Sequence, residues 1–294
     1  PMIAEHGSAW AKEEIATKIL KGELIFGIGY SEPNSGTDLA SLQTKAIHQT
    51  DGYLINGQKM WTSLANFSDY IWLATRTDFE AKNHKGISMF IVPTDDPGFS
   101  MSAINTLGHV RTNATFYDNI LVPESHLVGE LNQGRSMITS QLNLEGLALV
   151  NHGPVEQLYK DVLKTAQSTK IDNNQYLSDL SWVKHNFDKV HSGIEALKLI
   201  CWKQTWIMES DQLNMAEASV AKVYGSEFFI EAYRLLMEVM GELSILKNDS
   251  DLTILNARLE RMYRTASILT FGGGTNEVQR DIIAMAGLLM PRTR

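Results

Sequence analysis

A carboxylate set among apolar residues and three stretches of small polar residues are the places where this chain could do chemistry. On a helix, the same-face neighbours of Glu145 are Ile138, Gln141, Leu142, Ala148 and Leu149, four of them apolar. Desolvation raises a carboxyl pKa and makes the group a better proton acceptor, so an acid in such a stripe is costly unless it is paired or used. The same spacing also fits a surface glutamate at the edge of the stripe, and periodicity leaves both readings open. The second place is the loop Ser31-Glu32-Pro33-Asn34-Ser35-Gly36-Thr37-Asp38, and the third is Trp61-Thr62-Ser63. Taken singly, these read equally well as a turn and a core aromatic. The fourth is Gly272-Gly273-Gly274-Thr275, which opens a helix. Free backbone N–H groups there would suit an anion, although the spacing is neither a Walker loop nor a dinucleotide fingerprint.

Three kinds of segment must position these residues. Residues 1 to 24 carry helical spacing through Ala11, Ile15, Ile19 and Leu20 and stop at Gly22-Glu23. From about 25 to 130 the period switches to two, in Tyr53–Asn56, Tyr70–Ala74, Ile87–Val92, Asn113–Tyr117 and Ile120–Pro123. Asp51-Gly52 and Asn56-Gly57 are each expected to form a tight hairpin turn. Short strands at such intervals predict a β-barrel or sandwich. From 131 to 294 helical spacing returns in about five segments (134–169, 176–210, 215–241, 251–270 and 275–287), which predicts an all-α bundle. The polar stretch 168–176 reads as a surface loop. The fold class expected is therefore α+β, with the end of a helical region, a β-domain and a C-terminal helical bundle in that order.

A chain of 294 residues with 44% hydrophobic residues can bury a large core. The net charge of −8, without a Lys/Arg-rich run, argues against nucleic acid as a partner. No apolar run reaches the ~18 residues a membrane span needs. The single cysteine, Cys201, excludes an internal disulfide and fits a cytoplasmic setting. The histidines are not paired at ligand spacing, so no metal is expected. No Gly-x-Ser-x-Gly elbow suggests a hydrolase. Trp202 and Trp206 read as core or a subunit contact, Arg264 as structural, and Met237, Met240 and Met285 as packing. The chain starts with Pro1 and soon enters helical spacing, which reads as the tail of a helical domain whose front is expected to lie upstream.

The segment Gly27–Ser63, with its Ser-Glu-Pro loop and Trp-Thr-Ser strand in order, resembles the β-domain signature of the acyl-CoA dehydrogenase family. The resemblance implies a flavoenzyme that desaturates an acyl-CoA thioester between its α and β carbons, with FAD as hydride acceptor. It implies that Tyr30, Ser31, Trp61, Thr62 and Ser63 contact FAD and that Gly36 and Thr37 sit where flavin and acyl-CoA meet. By the same resemblance Thr275 and Glu277 occupy FAD-contact positions, and an electron-transfer flavoprotein reoxidises the enzyme. The ending Gly-Gly-Thr-Asn-Glu-Val-Gln-Arg is similar to that of actinobacterial members that process steroid side chains.

The resemblance also bears on the base. Most members carry the catalytic Glu in a C-terminal Glu-Gly-Thr motif, and here that position is Gly273. A minority branch, including isovaleryl-CoA and long-chain dehydrogenases, places it instead on the first helix after the β-domain, where Glu145 falls. The Arg that follows it in that branch is Gly146 here. An Arg-x-x-Phe-Gly motif that reaches a neighbouring subunit's FAD is absent from the corresponding residues 167–174. Steroid-type members form mixed tetramers whose unlike chains share FAD sites, so a homo- or hetero-oligomer is expected. A non-catalytic partner subunit is the alternative to a dehydrogenase, and an oxygen-using acyl-CoA oxidase is a third reading.

Overall fold

Alternating apolar residues between positions 26 and 128 become eight strands. They are β1 (Phe26–Gly29), β2 (Lys45–Gln49), β3 (Gly52–Lys59), β4 (Tyr70–Arg76), β5 (Ile87–Pro93), β6 (Phe99–Asn105), β7 (Arg111–Val122) and β8 (Leu127–Val128). They are seen in a computed structural model that describes residues 1–81, 85–209, 215–247, 250 and 254–291, except for the side chains of 143–148 and 208–209. By contacts the chain divides into two units, residues 1–106 with 110–141 and residues 107–109 with 142–294.

In the first unit the strand order is β6-β7-β3-β2-β4-β5-β8, with β1 parallel to β4. The β2 and β4 strands meet through a single residue pair, Lys45↔Arg76, so the two halves are hinged there. Tyr53, Ile55, Tyr117 and Ile120 from one half share a core with Ile71, Leu73, Phe90 and Val92 from the other. The Tyr53 and Phe90 rings lie 4.9 Å apart. The mixed sheet therefore folds over on itself in the manner of a sandwich, and burying each large aliphatic side chain contributes roughly 1.5–3 kcal/mol. Ahead of it, α1 (Met2–His6), a π-helical turn (Ala11–Ala16) and α2 (Thr17–Leu20) bury Ala11 and Ile15, and Trp10 stacks on His126 at 4.1 Å.

The two hairpin expectations met different fates. A turn does join β2 to β3, with Gln49 paired to Gly52 across Thr50-Asp51, one residue earlier than expected. Asn56-Gly57 makes no turn and lies inside β3. There the register steps from Ile55↔Ile120 to Gly57↔Tyr117, a bulge with the extra residue on β7. Asn119, at φ 55°, donates its N–H to Asn56 Oδ1 at 2.9 Å and fills the bulge. Only Gly57 of the pair has positive φ, whereas the expected turn needs it at both residues.

The second unit is helical. The first helix, α3 (Gly134–Leu149), begins in the first unit and is followed by α4 (Gly153–Ser168), α5 (Ser181–Glu209), α6 (Met215–Met240), α7 (Arg258–Ala266) and α8 (Asn276–Ile282). The expected segment 134–169 is thus two helices. Of the expected helix 251–270, residues 251–253 lie outside the described residues; α7 starts at Arg258, after Leu255, Asn256 and Ala257 at left-handed φ, and Ser267–Thr270 is a 3-10 turn. Val155, Leu158 and Val162 of α4 pack with Val183, Phe187, Val190 and Ile194 of α5 against Phe229, Tyr233 and Leu236 of α6. Met240 belongs to this core and Met237 packs on it, but Met285 is exposed. Residues 168–174 are exposed, as a surface loop should be. No helix among the described residues is long and apolar enough to cross a membrane.

Candidate active site

In the first unit, the Ser31–Asp38 loop and the Trp61–Ser63 segment are brought together. Met60 N–H donates to Ser31 O at 2.8 Å, and Glu32 and Ser35 exchange backbone hydrogen bonds of 2.7 and 3.1 Å that close the loop into a tight turn. Ser35 Oγ donates to Asp38 O at 2.8 Å, leaving Gly36 and Thr37 exposed at the tip. Lys59, at the end of β3 and 0% exposed, donates from Nζ to Tyr30 O at 3.1 Å and to Glu32 Oε1 at 2.8 Å. Burial pushes its pKa down to about 8 against the opposing pull of Glu32. For Glu32, burial pushes upward but the Lys59 charge and the hydrogen bonds from Lys59 and Thr44 outweigh it, so its carboxyl stays below the ordinary range.

Trp61 is 57% exposed and sits at φ 63°, a strained setting for a bulky residue and one found preferentially at functional sites. Thr62 beside it is fully buried: its N–H donates to Asn113 O at 2.9 Å and its hydroxyl meets Thr115 Oγ1 at 3.1 Å. Ser63 Oγ donates to Thr112 Oγ1 at 3.3 Å. Thr62 and Ser63 therefore anchor the segment that presents the indole. Tyr30 is 8% exposed; its hydroxyl accepts from Trp72 Nε1 at 2.8 Å and donates to Gln141 Oε1, so its phenol is engaged inside the protein.

In the second unit, Glu145 lies on α3, while its side chain lies outside the described residues. Gly273 has φ 69°, and the nearest atom to a Cβ built on it is Leu149 Cδ1, at 3.8 Å. Leu149 is one helical turn, about 6 Å of axial rise, beyond Glu145 on the same helix. The glycine turn is held by α6: Lys222, 3% exposed, donates from Nζ to Gly274 O at 2.6 Å and to Asn276 Oδ1 at 3.0 Å. Burial lowers the pKa of Lys222 to about 8, with Glu277 and Glu227 opposing. Asn276 is itself buried and donates to Ser226 Oγ at 3.0 Å and Glu227 Oε1 at 3.2 Å. Thr275 caps α8, its Oγ1 accepting from Val278 N–H at 3.2 Å, and Glu277 is exposed. Arg264 pairs with Glu260 and donates to Leu107 O, a structural arrangement.

Sequence reasoning passed over Lys59, Lys222 and Asn276. A signal was present for both lysines: Lys59 continues the inward alternation of Tyr53 and Ile55, and Lys222 lies on the same stripe as Ala218, Gly225 and Phe229 of α6. Trp202 and Trp206 are 63% and 68% exposed, so neither is core in this chain.

Residues 27–119 match the acyl-CoA dehydrogenase middle-domain family and residues 132–288 the acyl-CoA dehydrogenase C-terminal-domain family. Over 99% of this chain and 74% of its own length, the acyl-CoA dehydrogenase FadE26 of Mycobacterium tuberculosis is 47% identical. FadE29 of the same organism is 40% identical over 99% of this chain and 75% of its length. Among solved structures, the ChsE4-ChsE5 complex from Mycobacterium tuberculosis superposes with a TM-score of 0.92 at 47% identity, covering 100% of this chain and 76% of that one. A Tcur3481-Tcur3483 steroid ACAD superposes with a TM-score of 0.93 at 42% identity, covering 100% of this chain and 75% of the other. With both domain signatures in order and relatives this similar along nearly its whole length, the chain belongs to the acyl-CoA dehydrogenases, a flavoprotein family of oxidoreductases.

Proposed function

We propose that this acyl-CoA dehydrogenase holds FAD on the Ser31–Thr37 loop and the Trp61–Ser63 segment and uses Glu145 to remove the α-proton of its acyl-CoA substrate. The observation that carries the base assignment is the conformation of Gly273. A side chain there would have to adopt φ 69°, and α3 approaches it through Leu149, one turn from Glu145. A carboxylate on α3 can thus serve the region that a residue at 273 would serve, without left-handed strain.

The residues present fit a flavin. Trp61 offers an exposed aromatic face held in place by the buried Thr62. The hydroxyls of Ser31 and Thr37 and the indole N–H of Trp61 have no hydrogen-bond partner among the described residues. An ideal Cβ on Gly36 would meet nothing within 4 Å, so the loop tip can be approached closely. When bound, FAD supplies the acceptor for the β-hydride, a role no side chain can fill. Glu145 takes the α-proton, and Tyr30 in the first unit and Thr275 and Glu277 in the second are proposed as further cofactor contacts on the strength of the family resemblance. An electron-transfer flavoprotein is the proposed oxidant from the family resemblance, and a steroid side-chain thioester the proposed substrate, after the steroid ACAD named above.

A second reading rests on residues 167–174, the end of α4 and an exposed turn bridged by Lys170↔Tyr176, with neither Arg nor Phe-Gly. Such a chain could complete its flavin sites only with an unlike partner, and the exposed Trp202 and Trp206 would be covered in that assembly. The test is anaerobic titration of the flavin-loaded protein with an acyl-CoA. Bleaching of the yellow colour, slowed at least ~10²-fold in Glu145→Gln, is expected. Bleaching at the wild-type rate in Glu145→Gln would remove the base assignment. A colourless protein that takes up flavin only with a second chain would favour the partner reading.

A further inference from the structure

Lys59 is an expensive residue for its place. A fully buried ammonium ion loses its hydration, and a buried ion pair is often no more stabilising than two apolar side chains of the same volume. Its geometry shows what the charge does instead. Three successive residues of the loop are tied to two successive residues of the strand end: Tyr30 O and Glu32 Oε1 to Lys59 Nζ, and Ser31 O to Met60 N–H. Glu32 extends the tie to a third segment, because its carboxylate also accepts from Gln43 N–H at 2.7 Å and Thr44 N–H at 2.9 Å. Thr44 in turn donates from Oγ1 to Gln58 O at 3.2 Å, next to Lys59. The next residue but one along the strand is Trp61, at φ 63°.

An apolar pair could fill the same volume, but it could not specify direction. The ammonium must point to where a loop carbonyl and a loop carboxylate converge, and only one register of loop against strand satisfies both.

We propose that Lys59, acting through Glu32, is a positioning residue that locks the Ser31–Thr37 loop in register with the Trp61 segment and thereby preorganises the flavin site. This rests on the reading of those two segments as flavin-binding. With Lys59 replaced by Met, the Glu32 carboxylate is left buried without its cation and moves toward water, carrying the loop with it. With Glu32 replaced by Gln, shape is kept but the ammonium is uncompensated, and the tie to Gln43 and Thr44 weakens.

The experiment pairs two readouts on the full chain of the wild type, Lys59→Met and Glu32→Gln. Hydrogen exchange is followed by mass spectrometry on peptides covering 31–37 and on β4–β5 as an internal control, and FAD is titrated into flavin-stripped protein. Expected are faster exchange confined to 31–37 in both variants and FAD affinity weakened roughly 30-fold or more, the size of a broken buried charge pair. If Lys59→Met does not fold, Glu32→Gln carries the test, since it removes only the charge. Wild-type exchange in 31–37 together with wild-type FAD affinity would overturn the proposal. So would faster exchange spread evenly over β4 and β5, which a merely structural lysine would give. If the wild type takes up no flavin while exchange in 31–37 still rises in the variants, the lock stands and the flavin reading of the loop fails.

Discussion

Each unit of this chain buries a lysine behind a signature loop, and the two solve the same electrostatic problem differently. Lys59 meets a carboxylate, Glu32, at 2.8 Å. Lys222 meets only neutral oxygens, the Gly274 carbonyl and the Asn276 amide, and makes no ion pair among the described residues. Burial lowers both pKa values to about 8. The difference lies in what each lysine would leave behind. Removing Lys59 strands a charge, whereas removing Lys222 strands dipoles, which can rotate or recruit water.

The comparison is broken most directly by truncating both lysines. Lys59→Met should destabilise by ~3–5 kcal/mol, the cost of an orphaned buried charge. Lys222→Met should cost ~1–3 kcal/mol, the cost of unsatisfied buried acceptors. Urea unfolding of the two variants checks the order, and a larger loss at Lys222 would show that its neutral partners are not what holds it. Adding Glu32→Leu to Lys59→Met should recover most of the loss, because an apolar pair is an acceptable replacement for a buried ion pair in stability, though not in loop register.

A smaller effect is expected at the turn that Lys222 holds. Gly273→Ala places a Cβ at φ 69°, with a cost of about 1–2 kcal/mol. If Lys222 enforces that conformation through the Gly274 carbonyl, the same substitution should cost less in a Lys222→Met background. A double-mutant cycle measures this coupling. An additive pair would mean the turn is left-handed on its own account.

How much of this was legible in the sequence depended on whether the deciding partner was local. Helical character over 134–169 was readable because helix periodicity is local, though the break between α3 and α4 was not, and the Gln49↔Gly52 turn was found within one residue because its Asp-Gly signal is local. Asn56-Gly57 misled because its fate is set by Asn119 on a strand that follows much later in the chain. The two lysines were hidden for the same reason. A lysine at an inward position looks like an error of pattern until its acceptors are known, and Glu32 is 27 residues from Lys59, Gly274 52 residues from Lys222. Family resemblance picked out the loop that would hold a cofactor, but not the groups that hold the loop.

The last test uses pH. Each lysine has a folded-state pKa of about 8 against an ordinary value of 10.5, so between these limits the unfolded chain binds more protons than the folded one. Stability from each group is therefore fully present above pH 10.5, is lost as pH falls through about 8, and must rise with pH in between. Taking the stability difference from wild type at pH 7, 8, 9 and 10 cancels what groups away from the two lysines contribute, and that difference is the quantity to follow. For both Lys59→Met and Lys222→Met the deficit should widen across that range. Because both folded-state values are about 8, the widening should be of similar size at the two sites, burial being offset at Lys59 by Glu32 in contact and at Lys222 by Glu277 and Glu227 without an ion pair. A markedly smaller widening at Lys59 would mean that its ion pair keeps the ammonium charged to higher pH than the neutral cradle of Lys222 does, so that paired and unpaired burial differ in charge as well as in orientation.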